Sequence, residues 1–110
     1  MILSDKERID AIICLWNSVK EEIEKRGIDR TALLTDTYTQ WALTTPLTNI
    51  GEHVYKMSSE FKEEHSEIKW NVVSGLRHRL VHNYEGTNWT IIAEVIFSEM
   101  DIFIEQIKEI

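Results

Sequence analysis

A chain of 110 residues is long enough to bury one core of its own and too short for two, so residues 1–110 are expected to form a single domain. With 43% hydrophobic and 28% charged residues it falls outside the disordered and membrane classes, and one proline and four glycines argue for long helices over many short strands. Twelve basic against nineteen acidic residues leave a net charge of −7, which argues against a general nucleic-acid binder and confines any handling of phosphate to one place.

The first helix announces itself at once. Ser4 and Glu7 stand at the spacing of a capping box, and Ile9, Ile12, Ile13, Trp16, Val19 and Ile23 recur on one helical face. Lys25 and Arg26 suit the negative end of the helix dipole and Gly27 suits a left-handed stop, so a helix is predicted over residues 5–26. Asp29 or Asp36 can cap a second helix bearing Tyr38, Trp41, Ala42, Ile50, Val54, Met57 and Phe61. Threonines lower its propensity and Pro46 must kink or break it; one long kinked helix over about residues 35–62 is predicted. Glu63–Lys69 reads as a polar loop. A third helix is predicted over residues 70–82 with Val72, Val73, Leu76 and Leu80 as its apolar side, then a turn over Asn83–Asn88. Asn88 caps a last helix carrying Ile91, Ile92, Val95, Ile96, Phe103 and Ile107. The expected fold is all-α, an up-and-down bundle of four main helices with room for a fifth short one.

The N-terminus turns charged within a few residues, and the longest run without Asp, Glu, Lys or Arg, Thr37–Gly51, is too short and too polar to span a bilayer. A cytosolic protein without membrane association is expected. Cys14 has no partner for an internal disulfide, and its neighbours Ile12, Ile13 and Leu15 mark it as a buried small hydrophobe. Trp16, Trp41, Trp70 and Trp89 read as core or interface packing, and Gly51 and Gly75 as places of close helix contact.

Polar, titratable side chains are densest in Leu76-Arg-His-Arg-Leu-Val-His-Asn-Tyr84. Ile68–Tyr84 contains no acid, whereas Glu85–Ile110 holds six acids and one lysine. Arg77 offers a permanent cation whose fork of donors fits phosphate oxygens, and His82 titrates near neutral pH. Such a pair can cleave an RNA phosphodiester without a metal: one group moves protons, the other steadies the charge on phosphorus. From spacing alone, a solvated cluster complementing a helix C-terminus explains the same residues. His78 and His82 at i, i+4 could also hold a metal, but only if His53 or His65 came round to join them, and no metal or cofactor is expected.

The run Ile68-Lys-Trp-Asn-Val-Val-Ser-Gly-Leu-Arg-His-Arg-Leu-Val-His-Asn-Tyr84 resembles the signature of the HepT-like branch of the HEPN superfamily. Ile50-Gly-Glu52 is similar to a tripeptide of that family's preceding helix, and Ile104–Ile110 to its usual ending. The resemblance implies a HEPN-like homodimer and the toxin of a type II toxin–antitoxin pair. Such a toxin is a metal-independent endoribonuclease acting through Arg-x4-His-x-Tyr. By position Arg77 and His82 would be catalytic, with His78, Arg79 and Asn83 supporting. Tyr84 would accept AMP from a minimal nucleotidyltransferase antitoxin. His78 stands where Asn or Asp is commoner, and Asn83 where Gly is. The rival readings are a non-catalytic nucleotide- or substrate-binding partner of a nucleotidyltransferase, and a structural dimerisation domain. An intact Arg77/His82 pair favours the enzyme.

Overall fold

Capping chemistry sets where each helix begins. The computed structural model describes residues 2–82 and 86–110, and of His82 the backbone alone. In front of α1 (Asp5–Arg26) the Ser4 hydroxyl accepts the Glu7 N–H at 3.1 Å while the Glu7 carboxylate accepts the Ser4 N–H at 3.0 Å. Gly27 ends α1 with φ +60°, and the Ile28 N–H turns back to the Ile23 carbonyl at 2.9 Å.

The middle of the chain departs from the single kinked helix expected over residues 35–62. Both candidate caps are used. Asp29 accepts the Ala32 N–H and starts α2 (Arg30–Thr35); Asp36, in extended conformation, closes α2 and caps α3 (Thr37–Lys56) through the Thr39 N–H and hydroxyl. Met57 and Ser58 are extended as well, and Ser58 caps α4 (Ser59–Glu64) while its own N–H and hydroxyl donate to Asp5 at 2.9 and 2.7 Å. Pro46, by contrast, interrupts nothing: it lies inside α3, and Ala42, four residues earlier, whose carbonyl loses its usual N–H partner, is an exposed residue.

Beyond the loop, α5 (Trp70–His82) matches its predicted bounds, and Asn88 caps α6 (Trp89–Glu94) through the Thr90 and Ile91 N–H groups. A π turn, Val95–Glu99, joins α6 to α7 (Met100–Lys108) as one continuous rod. The fold among the described residues is all-α. No helix among them is long and apolar enough to cross a membrane. The predicted turn residues Asn83, Tyr84 and Glu85 lie outside the described residues.

α3 is the central strut, packed on α1 and on α5, while α2 leans on α3 and α6. Ile12, Leu33, Leu43, Leu47, Ile50, Leu76, Ile92 and Met100 are sealed from water, each burial contributing about 1.5–3 kcal/mol. Trp70 ties α4, α5 and α7 together, its ring 6.2 Å from Phe61 and 5.6 Å from Phe103, its Nε1–H on the His65 carbonyl at 3.0 Å.

Helical phase overturns five placements, and the open space around Gly75 a sixth. α3 buries Thr39, Leu43, Leu47, Ile50 and Val54. Trp41 stands nine residues before Ile50, which in an unbroken helix puts it about 180° away, and Tyr38, Trp41 and Ala42 are exposed. Cys14 is exposed rather than buried, two residues past the fully buried Ile12 and so on the outer face of α1. Val72 is at the exposed edge of α5, one residue from the buried Val73. Gly75 has nothing within 4 Å of where a Cβ would stand, so no close contact requires it.

Candidate active site

Arg77 is set on α5 at the point where α5 crosses α3, and Gly51 makes that crossing possible. A Cβ on Gly51 would stand 2.6 Å from the Arg77 backbone nitrogen and 3.0 Å from the Arg77 Cβ, so only glycine lets the two backbones approach this far. The neighbouring Glu52 then meets the arginine directly, its Oε2 accepting the Arg77 Nε–H in an ion pair. The other carboxylate oxygen, Oε1, lies 3.2 Å from Lys56 Nζ one turn on. Tyr55 completes the cluster, its ring centroid 4.3 Å from the Arg77 Cζ, a cation–π contact. Partial burial works against a charge on Glu52, but the hydrogen bonds from Lys56 and Arg77 and their positive charges outweigh it and hold the carboxyl below its ordinary range.

Residues 5–110 of the chain match the family described as Ribonuclease HepT-like. The chain belongs to the HepT-like ribonuclease family. Its relatives include a protein of Caldanaerobacter subterraneus named "Putative RNase", 36% identical over 85 residues that cover 77% of this chain and 76% of that one. Another "Putative RNase", from Methanocaldococcus jannaschii, is 32% identical over 77 residues, 70% of this chain and 64% of its own. "Probable ribonuclease HepT" of Thermococcus cleftensis is 32% identical over 63 residues, 57% of each chain. No solved structure matches the chain.

Within this HepT-like chain, the residues singled out by sequence are placed as follows. Arg77 is half-buried at the α3–α5 seam; His78 and Arg79 are exposed on α5, and the Arg79 carbonyl accepts the Thr87 hydroxyl at 3.5 Å. His82 closes α5, its side chain outside the described residues together with Asn83 and Tyr84. The two remaining histidines stand elsewhere. His53, next to Glu52, turns to α1, where its Nδ1 accepts from Arg8 Nη1 at 3.2 Å; burial, helped by the cations Arg8 and Lys56, lowers its pKa. His65 ends α4 against the Phe61 ring at 4.8 Å. Among the described residues, no three His, Cys, Asp or Glu side chains come together as a metal site.

Sequence reasoning did not assign Glu52, Tyr55 or Lys56 a place at Arg77. A signal was available. Glu52 is the one acid in Thr37–Lys56, a turn before the one lysine and beside a mid-helix glycine, facing an acid-free helix in need of a counter-charge.

Proposed function

We propose that this HepT-like protein is the toxin of a type II toxin–antitoxin pair, a metal-independent endoribonuclease whose chemistry is done by Arg77 and His82. The observation that best supports this is Arg77 itself. In a chain matching the family over residues 5–110, its guanidinium is held at a helix crossing, partly open to solvent, with Nε engaged and no carboxylate hydrogen-bonded to either Nη group among the described residues. In this reading His82 takes the proton of the ribose 2′-hydroxyl, and the freed oxygen attacks phosphorus. The 5′-oxygen leaves with a proton returned from an imidazolium, leaving a 2′,3′-cyclic phosphate and a 5′-hydroxyl. Arg77 donates to the phosphorane oxygens as their charge grows. His78, Arg79 and Asn83 flank the phosphate path. A two-fold homodimer, each subunit folding residues 1–110 as one domain, brings a second Arg77/His82 pair to the same cleft.

Control falls to Tyr84. A minimal nucleotidyltransferase antitoxin transfers AMP from ATP to its hydroxyl, releasing pyrophosphate. The new phosphodiester competes for Arg77 and the nucleoside fills the cleft. Digestion of total cellular RNA tests the chemistry: Arg77→Ala and His82→Ala should each lose at least about 10²-fold in rate with helicity intact, while chelator leaves the wild-type protein active. Activity retained in His82→Ala, or lost to chelator, would overturn the mechanism. Intact mass after coexpression with the antitoxin reads the Tyr84 adduct.

A further inference from the structure

We infer that Glu52 and Tyr55 are positioning residues for Arg77, the carboxylate fixing the guanidinium by its Nε edge and the ring fixing its plane, so that the Nη1–Nη2 edge is the one presented to a phosphate. This rests on the reading that Arg77 stabilises the phosphorane. Three observations carry it. Glu52 takes Arg77 by Nε, and among the described residues no other hydrogen bond of the guanidinium stands beside it. The Arg77 Cζ lies over the Tyr55 ring, 4.3 Å from its centroid, a contact that restrains the last bonds of a flexible side chain. Gly51 sets the helix separation that lets residue 52 reach residue 77 at all.

The charge balance favours positioning over neutralisation. Lys56 sits on the other oxygen of Glu52, 3.2 Å away, so Lys56, Glu52 and Arg77 together keep one formal positive charge for an incoming anion. A guanidinium has five donors in a rigid fork; holding it by one edge and against one ring leaves a pre-oriented edge for two phosphate oxygens. Positioning of this kind acts in the transition state, and its loss falls on kcat more than on KM.

The experiment measures kcat and KM on a fluorescein-labelled oligoribonucleotide taken from the sites cut in a total-RNA digest, alongside the thermal melt. Glu52→Gln is expected to lower kcat by on the order of tenfold to a hundredfold with little change in KM. Tyr55→Ala should lower it by about tenfold, and Tyr55→Phe, which keeps the ring face, should recover most of that loss. In an Arg77→Lys background, which has no Nε, Glu52→Gln should add little further. Wild-type or faster cleavage by Glu52→Gln, equal loss in Tyr55→Phe and Tyr55→Ala, or full multiplication of the two losses in the Arg77→Lys background would each overturn the inference. Because Tyr55 is more than half exposed, its pair of variants carries the test even where Glu52→Gln melts early. Arg77→Ala separates the two levels: if it cleaves like wild type, the reading of Arg77 falls; if it is dead while Glu52 and Tyr55 variants are normal, only the positioning role falls.

Discussion

At its C-terminal end α3 meets α5 through Gly51, and Glu52, Tyr55 and Lys56 close around Arg77 there. At its N-terminal end the same helix turns Tyr38 and Trp41 to solvent, their rings edge to face at 5.5 Å and each more than two-thirds exposed. The polar end is thus the tightly built one, and the aromatic end is bare. Residue type alone would have ranked them the other way. What decides is phase along one continuous helix, together with whether a second backbone comes close enough to be touched.

The sharpest way to break the tight end is a methyl group. Gly51→Ala gains about 1 kcal/mol in helix propensity but drives a Cβ into the Arg77 backbone, an obstacle that cannot swing aside. Strain of about 1–3 kcal/mol should win and lower the melting midpoint, and the displaced Arg77 should cost RNA cleavage as well. Gly75→Ala is the matched opposite on α5: its Cβ meets nothing within 4 Å, so propensity stands alone and the melt should rise. Equal melts for the two variants would show that the α3–α5 approach is not what Gly51 is for.

That pair also marks how far the sequence could be read. α1 was legible to the residue, because its cap, stripe and stop are all local signals, and α5 and the Asn88 cap were nearly so. The 35–62 stretch is ambiguous for a local reason: Asp29, Asp36 and Ser58 each have the chemistry to cap, and the breaks fall at those caps rather than at Pro46. The π turn left no mark, since Ile96 and Met100 are spaced as in any α-helix. At the candidate site, Arg77 stands out within one segment as a cation in an acid-free run. Its partners Glu52 and Tyr55 belong to another helix, and contact across a seam is a tertiary fact that spacing within either helix does not contain.

A smaller effect separates the two neighbours on α3, Glu52 and His53. His53 keeps an unprotonated Nδ1 toward Arg8, and its folded pKa lies below its ordinary value of 6.5. Between those two values the unfolded chain binds more protons than the folded one, so stability rises with pH. The contribution is complete above 6.5 and is lost as pH falls through the lowered folded value. Melts on the two sides of that window should fall with acid in the wild type and fall less in His53→Gln, which cannot be charged. An unchanged pH slope in His53→Gln would assign the loss to other groups.

The smallest expected change concerns the bare end. Trp41 is 67% exposed, whereas Trp16 and Trp70 are 3% and 6% exposed and Trp89 is partly buried. Replacing Trp41 with serine removes a ring that packs on little besides Tyr38, so the melting midpoint should move by no more than about 0.5 kcal/mol in stability. The fluorescence should change far more than the stability. Acrylamide reaches an exposed indole by collision and a buried one hardly at all, so Trp41→Ser should lose the most quenchable part of the emission and leave a protected remainder. Two outcomes would argue against this placement. A melt lowered by several kcal/mol would mean that Trp41 is packed in the folded chain. Quenching that is weak in the wild type at high concentration and rises on dilution would mean that another protein surface covers the N-terminal end of α3, and that its bareness belongs to the isolated chain alone.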